Sequence, residues 1–162
     1  MKKYFILFLL FIVACSTNNV EKEFNNAKTL IGQKKYDEAS EILIQIADGE
    51  NNKFKLQSLV ELGNIYRING IKTISKKESL LKAVDYYKKA QNEYPDSTIS
   101  KKTLFFAGFI LNNELKMYEE ARKVYEKYIS EYPNDSLVPT VKAEIENLGL
   151  TPEQILEKRI KK

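Results

Sequence analysis

Along Met117–Ser136 the apolar residues Ala121, Val124, Tyr125, Tyr128, Ile129 and Tyr132 recur at steps of three and four, which draws one stripe down a helix. Glu119, Glu120, Arg122, Lys123, Glu126, Lys127, Ser130 and Glu131 fill the opposite face. Opposite charges stand four apart in Glu119 with Lys123, Arg122 with Glu126 and Lys127 with Glu131. A pair of this kind adds about 0.2–0.5 kcal/mol when it forms. Pro133 lacks an amide proton and disfavours helical geometry at Tyr132, so the helix is predicted to stop there.

The same pattern occurs upstream, at Ala83–Ser97. Aligning Ala83 with Ala121 also aligns Tyr87 with Tyr125, Lys89 with Lys127, Glu93 with Glu131, Tyr94 with Tyr132 and Pro95 with Pro133. Each copy is preceded by a second pattern: Leu59, Leu62, Gly63 and Tyr66 before Ala83, and Leu104, Ala107, Gly108 and Leu111 before Ala121. Gly63, Ala83, Gly108 and Ala121 are expected where the two helices of a hairpin cross, because a small residue lets the axes approach to about 8–10 Å. Leu62, Tyr66, Tyr87 and Tyr125 then fill the space around the crossing, each contributing about 1.5–3 kcal/mol when fully buried. One hairpin cannot cover its own apolar faces, so the hairpins must stack.

Leu-x2-Leu-Gly-x2-Tyr, then Ala-x3-Tyr, then Pro resembles the tetratricopeptide repeat. The resemblance implies an all-α fold, an α-solenoid of about three helical hairpins closed by C-terminal capping helices. Glu21–Gly32 and Tyr36–Asp48 make the first hairpin, with Gly32 as the stop of its first helix. Tyr36-Asp37-Glu38-Ala39 repeats the form of Tyr118-Glu119-Glu120-Ala121, Leu43 takes the aromatic place, and Asn26 and Ala27 stand where Leu-Gly is expected. Lys53–Asn69 is the next first helix, ended by Asn69-Gly70. Ile71–Glu78 holds about eight residues more than a repeat of roughly 34 requires, and reads as a longer loop or an extra helical turn, with a functional insertion as the alternative. Ser100–Asn113 follows, apolar nearly all round from Leu104 to Leu111; such a helix is either clasped by its neighbours or turns one side to a partner. Leu137–Leu148 carries Val138, Val141, Ile145 and Leu148 at helical spacing. A last helix has Thr151 as cap, Pro152 in its first position and Lys158, Arg159, Lys161 and Lys162 at its end, and reads as the cap of the stack.

Met1–Ala14 has two lysines and then an apolar run too short to span a bilayer, the form of a secretory signal peptide. Ile12-Val13-Ala14-Cys15 resembles the lipobox of bacterial lipoproteins, which implies that Cys15 carries a thioether diacylglycerol and an acylated amino group. Residues 15–20 would then be a lipidated tether and 21–162 the repeat domain. Several acyl chains, at about 0.8 kcal/mol per buried methylene, exceed what stable anchoring needs. Cys15 is the chain's one cysteine, so no disulfide within the chain is possible.

The chain carries 26 basic and 22 acidic residues, net +4; without Lys2 and Lys3 the balance falls to +2. Lysines alternate with glutamates and form no single basic stripe, so a nucleic-acid partner is not expected. With no histidine among 162 residues, systems that need a histidine base or a histidine zinc ligand are excluded. No phosphate loop appears among the six glycines, and no metal, cofactor, enzymatic activity or small-molecule substrate is expected.

Binding remains. In the tetratricopeptide family the first helix of each hairpin lines the face on which peptides lie. By register the resemblance points to Phe24, Lys28 and Ile31, then Gln57, Val60, Asn64 and Arg67, then Lys102, Phe105, Phe109 and Asn112. Aromatic and basic groups together suit an extended peptide held by apolar contact and charge-assisted hydrogen bonds. Over most of its length after Cys15 the chain also resembles repeat lipoproteins of envelope biogenesis, the outer-membrane β-barrel assembly factor and the periplasmic companion of the Tol-Pal system. It has fewer hairpins than the first and lacks the N-terminal coiled coil of the second. The resemblance implies a lipid-anchored, non-enzymatic adaptor on the periplasmic side of the outer membrane, with the inner membrane as the other destination, binding protein partners of the cell envelope. A pilotin-like chaperone for a secretin, or an accessory subunit of a peptidoglycan-remodelling enzyme, are the alternative roles.

Overall fold

The computed structural model describes residues 19–50 and 53–161. The signal peptide expected at 1–14 and the lipidation expected at Cys15 lie outside the described residues. Eight α-helices follow one another among these residues, with no strand. They are α1 (19–32), α2 (Tyr36–Asp48), α3 (Lys55–Arg67), α4 (Lys76–Glu93), α5 (Thr98–Phe109), α6 (Tyr118–Glu131), α7 (Val138–Glu146) and α8 (Pro152–Ile160). Each helix from α2 to α7 packs on its neighbour in the chain, so the hairpins α1/α2, α3/α4 and α5/α6 stack in series and α7 and α8 follow. None of the described helices is long and apolar enough to cross a membrane.

The hairpin crossings fall on the matched glycines and tyrosines. Gly63 of α3 lies against the Tyr87 ring of α4, and Gly108 of α5 against the Tyr125 ring of α6. A Cβ at either glycine would overlap ring carbons Cδ1 and Cε1 of its tyrosine. Ala83 and Ala121 are fully buried beside them, as are Leu59, Leu62 and Leu104. The first hairpin performs the same packing with other residues: Ala27, Ala39 and Leu43 are all fully buried. Pro95 and Pro133 lie exposed two residues beyond the ends of α4 and α6, after Tyr94 and Tyr132 have left helical geometry at φ −135° and −127°.

The turn at Asn69-Gly70 ends α3 as expected, while the turn of the first hairpin differs in one respect. Gly32 is the last helical residue of α1, and the left-handed conformation falls two residues later, on Lys34 (φ 61°). Asn69 (φ 52°) and Lys116 (φ 58°) occupy the same place in the second and third hairpins. In each turn the next amide reaches back five residues or six: Lys35 N to Leu30 O (2.9 Å), Gly70 N to Ile65 O (2.9 Å) and Met117 N to Leu111 O (2.8 Å). These bonds satisfy carbonyls that the helix end leaves open, which offsets the cost of about 1–2 kcal/mol for a side chain in that region. The Ile71–Glu78 excess resolves into both readings: a connection anchored by buried Ile71, then the first turn of α4, which Ser75 caps by accepting from Glu78 N (3.2 Å).

Of the three ion pairs expected along α6, only Lys127–Glu131 forms, at 3.7 Å. Glu119, Lys123, Arg122 and Glu126 stand on the solvent side, where the attraction is too weak to immobilise two long side chains. Ion pairs instead join separate elements: Lys55–Glu93 (3.0 Å) closes the second hairpin and Lys89–Asp48 (3.3 Å) ties it to the first. Lys76–Glu114 (3.1 Å) ties it to the third.

The joints between units are built on tyrosine hydroxyls. Tyr132 donates to the Pro95 carbonyl (2.8 Å) and accepts from Gln91 Nε2 (3.0 Å), which also donates to Glu131. Asp135, placed after Pro133 as Ser97 is after Pro95, accepts from Leu137 N (2.9 Å) and from the Tyr128 hydroxyl (2.9 Å). Ser97 performs the equivalent capping on Ile99 N (3.3 Å). The Leu137 amide, and then the Tyr128 hydroxyl, hold the Asp135 carboxyl below its ordinary range.

Two predictions follow from these contacts. Gly63→Ala and Gly108→Ala should each lower stability in urea by about 1–3 kcal/mol, whereas Gly32→Ala, with open space around it, should be neutral or stabilising by up to about 1 kcal/mol. Equal midpoints for the three variants would refute the crossing assignment. The depressed Asp135 carboxyl stabilises the fold above the unfolded value of about 3.9 and loses that effect as pH falls through the lower folded value. Asp135→Asn should therefore lower the melting temperature at neutral pH and flatten its decline below about pH 4. A variant with the same acid slope as the parent would contradict the assignment.

Candidate functional site

The first helices of the hairpins share one row, tied together by side chains. Lys28 of α1 pairs with Glu61 of α3 at 2.5 Å, and Glu61 also accepts from Asn64 Nδ2 (3.5 Å). Asn64 Oδ1 accepts from the Tyr87 hydroxyl (2.8 Å). Arg67, one turn further along α3, lies over the Phe106 ring of α5 with 6.0 Å to its centroid, a cation–π contact that spans two units. Burial pushes the Tyr87 hydroxyl up, partly opposed by the nearby Arg67 guanidinium.

Besides Asn64, half-buried and held by Glu61 and Tyr87, the residues expected to line this row separate into two groups. Gln57, Arg67, Lys102 and Phe109 are exposed, and Lys28 is exposed though paired. Phe24 is half-buried and stacked on Phe54 (centroids 4.9 Å apart), and Ile31 and Val60 are half-buried against the core. Phe105 is drawn inward beside Tyr125 (6.2 Å) and Phe106 (5.9 Å). Asn112 is buried, donating to Glu144 of α7 (3.3 Å). Replacing Asn64 and Arg67 together, an obvious probe of the row, would thus also remove the Tyr87 hydroxyl's partner and a contact between units.

The exposed face of α5 keeps Lys102 and Phe109 but carries Phe106 and Asn113 where register alone puts Phe105 and Asn112. Ile99, Lys102, Phe106, Phe109 and Asn113 are all exposed, at steps of three and four. Ile99, Phe106 and Phe109 keep 45%, 44% and 41% of their surface in solvent, although α5 buries Leu104 and Ala107 completely on its other side. No acidic residue interrupts this helix. Phe106 is the residue that sequence reasoning missed. Its spacing of seven from Ile99 and three from Phe109 was the available signal.

At the far end of the row α5 changes form. Ile110–Glu114 make a π-turn, in which Leu115 N reaches back five residues to Ile110 O (3.0 Å). Such turns are rare and turn side chains out of ordinary helical register. Asn112 and Asn113 thereby line a cleft of about 530 Å³, walled on other sides by Tyr118, Glu144, Leu150 and Arg159. Glu144 Oε2 accepts from Asn112 and from the Tyr125 hydroxyl (3.4 Å). Burial first, then the Glu144 charge, holds the Tyr125 hydroxyl protonated far above its ordinary range. A second depression, of about 310 Å³, lies between α4 and α6, with Leu81, Val84 and Val124 in its lining.

Residues 104–135 match the sequence profile of the tetratricopeptide repeat. The match begins in α5, covers α6 and ends at Asp135, so it includes Gly108, Ala121, Tyr125 and Pro133. No curated protein matches the chain. With the serial packing of the hairpins, the match makes the architecture an all-α solenoid of the tetratricopeptide type. Repeats of this type generally bind protein partners.

One prediction concerns the row itself. Asn64→Ala should lower stability by about 0.5–1.5 kcal/mol through the hydroxyl of Tyr87, and Tyr87→Phe made in the same background should cost little more. Strictly additive losses in the double variant, measured by urea unfolding, would show that the two groups do not act together.

Proposed function

We propose that this chain is a lipid-anchored, non-enzymatic adaptor of the bacterial cell envelope. It holds an extended segment of a protein partner across the first-helix row, in outer-membrane biogenesis or maintenance. The observation that carries the reading is the exposed side of α5. Ile99, Phe106 and Phe109 stay open along one side of a single helix within the stack, beside Lys102 and Arg67. Apolar surface of this kind, rimmed by polar groups, is characteristic of an interaction site. Phe106 and Phe109 would supply apolar anchors and the two cations would supply charge-assisted hydrogen bonds to the partner's carbonyls or carboxylates. The envelope location rests on the Met1–Cys15 segment, whose form resembles a lipoprotein signal.

Two experiments test it. Ile99→Ser with Phe109→Ser and Lys102→Glu should sharply reduce the proteins recovered with the chain after mild detergent extraction of envelopes, while changing the melting temperature little. Undiminished capture would move the binding surface elsewhere. Cys15→Ser should release the chain from membranes, and retention there would mean that another element anchors it. The proteins recovered distinguish the roles: barrel-assembly components, a secretin, or wall hydrolases.

A further inference from the structure

We infer that the cleft between the π-turn, α7 and α8 is a second binding site, built to take a short zwitterionic peptide, with its ammonium group on Glu144 and its carboxylate on Arg159. One charge in this cleft is not needed for packing. In the second hairpin the crossing tyrosine, Tyr87, donates its hydroxyl to a neutral amide, Asn64. In the third, the residue matching Asn64 is Phe109, and the hydroxyl of Tyr125 is met by Glu144, brought from α7. The other donor to Glu144, Asn112, is neutral too. A glutamine would accept both bonds, so the carboxylate's charge is surplus to the fold. Both bonds fall on Oε2, and neither Oε1 nor Oε2 has a cation within ion-pair distance among the described residues.

Two cations of the same cleft are equally unused. Arg159 of α8 and Lys116 at the left-handed turn line the same cleft, and neither makes an ion pair or side-chain hydrogen bond among the described residues. Arg159 and Glu144 line the same cleft and do not pair with each other, which leaves both free for a ligand. The cleft's 530 Å³ lies in the range of about 300–1,000 Å³ usual for small-ligand sites. Tyr118, Leu150 and Ile155 give it an apolar wall for a side chain, and Tyr118 packs its ring edge 3.5 Å from where a Cβ of Gly149 would stand. An ammonium group suits a carboxylate that already accepts two hydrogen bonds, and a guanidinium grips a carboxylate with two parallel N–H donors. The site departs from the expectation that the chain has no small ligand. It does not rest on the proposed role of the α5 face.

The test is titration calorimetry of the full chain in mild detergent with alanyl-alanine, N-acetyl-alanyl-alanine and alanyl-alanine amide. Alanyl-alanine should saturate with a Kd on the order of 1 mM or tighter, and each blocked form should bind about tenfold more weakly or worse. Glu144→Gln should bring alanyl-alanine down to the level of its acetylated form without weakening that form further. Arg159→Gln, at an exposed residue with no partner to lose, should do the same with respect to the amide, and its melting temperature should match the parent's. Absence of saturable binding, equal binding of the three peptides, or unchanged affinity in the Arg159→Gln chain would overturn the proposal.

Discussion

Two glycine–tyrosine contacts set the geometry on which the rest of the molecule depends. A helix hairpin can close only as far as its largest side chain at the crossing allows, and here a whole tyrosine ring occupies that place. Removing the side chain opposite, at Gly63 and Gly108, makes room for the ring without moving the axes apart. The tyrosine then does two things at once. Its ring fills the crossing, and its hydroxyl emerges on the first-helix side, where Asn64 meets Tyr87 and Glu144 meets Tyr125. The packing rule is shared by the second and third hairpins, while the partner of the hydroxyl differs between them.

That difference connects fold to surface. Each unit binds the next through polar contacts whose ends lie in different hairpins: Tyr132 on the Pro95 carbonyl, Lys76 on Glu114, Lys89 on Asp48 and Arg67 over Phe106. A stack held in this way keeps its first helices in a fixed row, so side chains such as Ile99, Phe109 and Lys102 are presented together without being needed for the core. The third hairpin, where α5 passes into a π-turn and α7 supplies Glu144, is the least regular of the full hairpins. It also carries both the open α5 face and the charged cleft.

Much of this was legible in the residues. Small side chains at matched positions, with an aromatic four places after the alanine and a proline one helix later, gave the hairpins and their order, and Thr151 before Pro152 gave the start of α8. Three features were not legible, each for a physical reason. Lysine carries no signal for the left-handed conformation, so Lys34 and Lys116 could not be picked out, and Gly32, a residue that often takes it, drew the expectation. Charges four apart state only that an ion pair is within reach; on the open face of α6 solvation prevails over all but Lys127–Glu131. Register transferred from one helix to the next assumes unbroken helix, and the π-turn breaks it at Asn112, which is committed to Glu144. The N-terminal reading, with Cys15 as its centre, lies outside the described residues.

The most direct measurement is a double-mutant cycle at one crossing, with Gly63→Ala and Tyr87→Leu made singly and together and unfolded in urea. Each single change should destabilise, the first by crowding the ring and the second by leaving space. If the glycine exists to admit the tyrosine, the smaller leucine should relieve the crowding, so the double variant should be more stable than the sum of the two losses predicts, by at least about 0.5–3 kcal/mol. Losses that add to within about 0.3–0.5 kcal/mol would contradict the account.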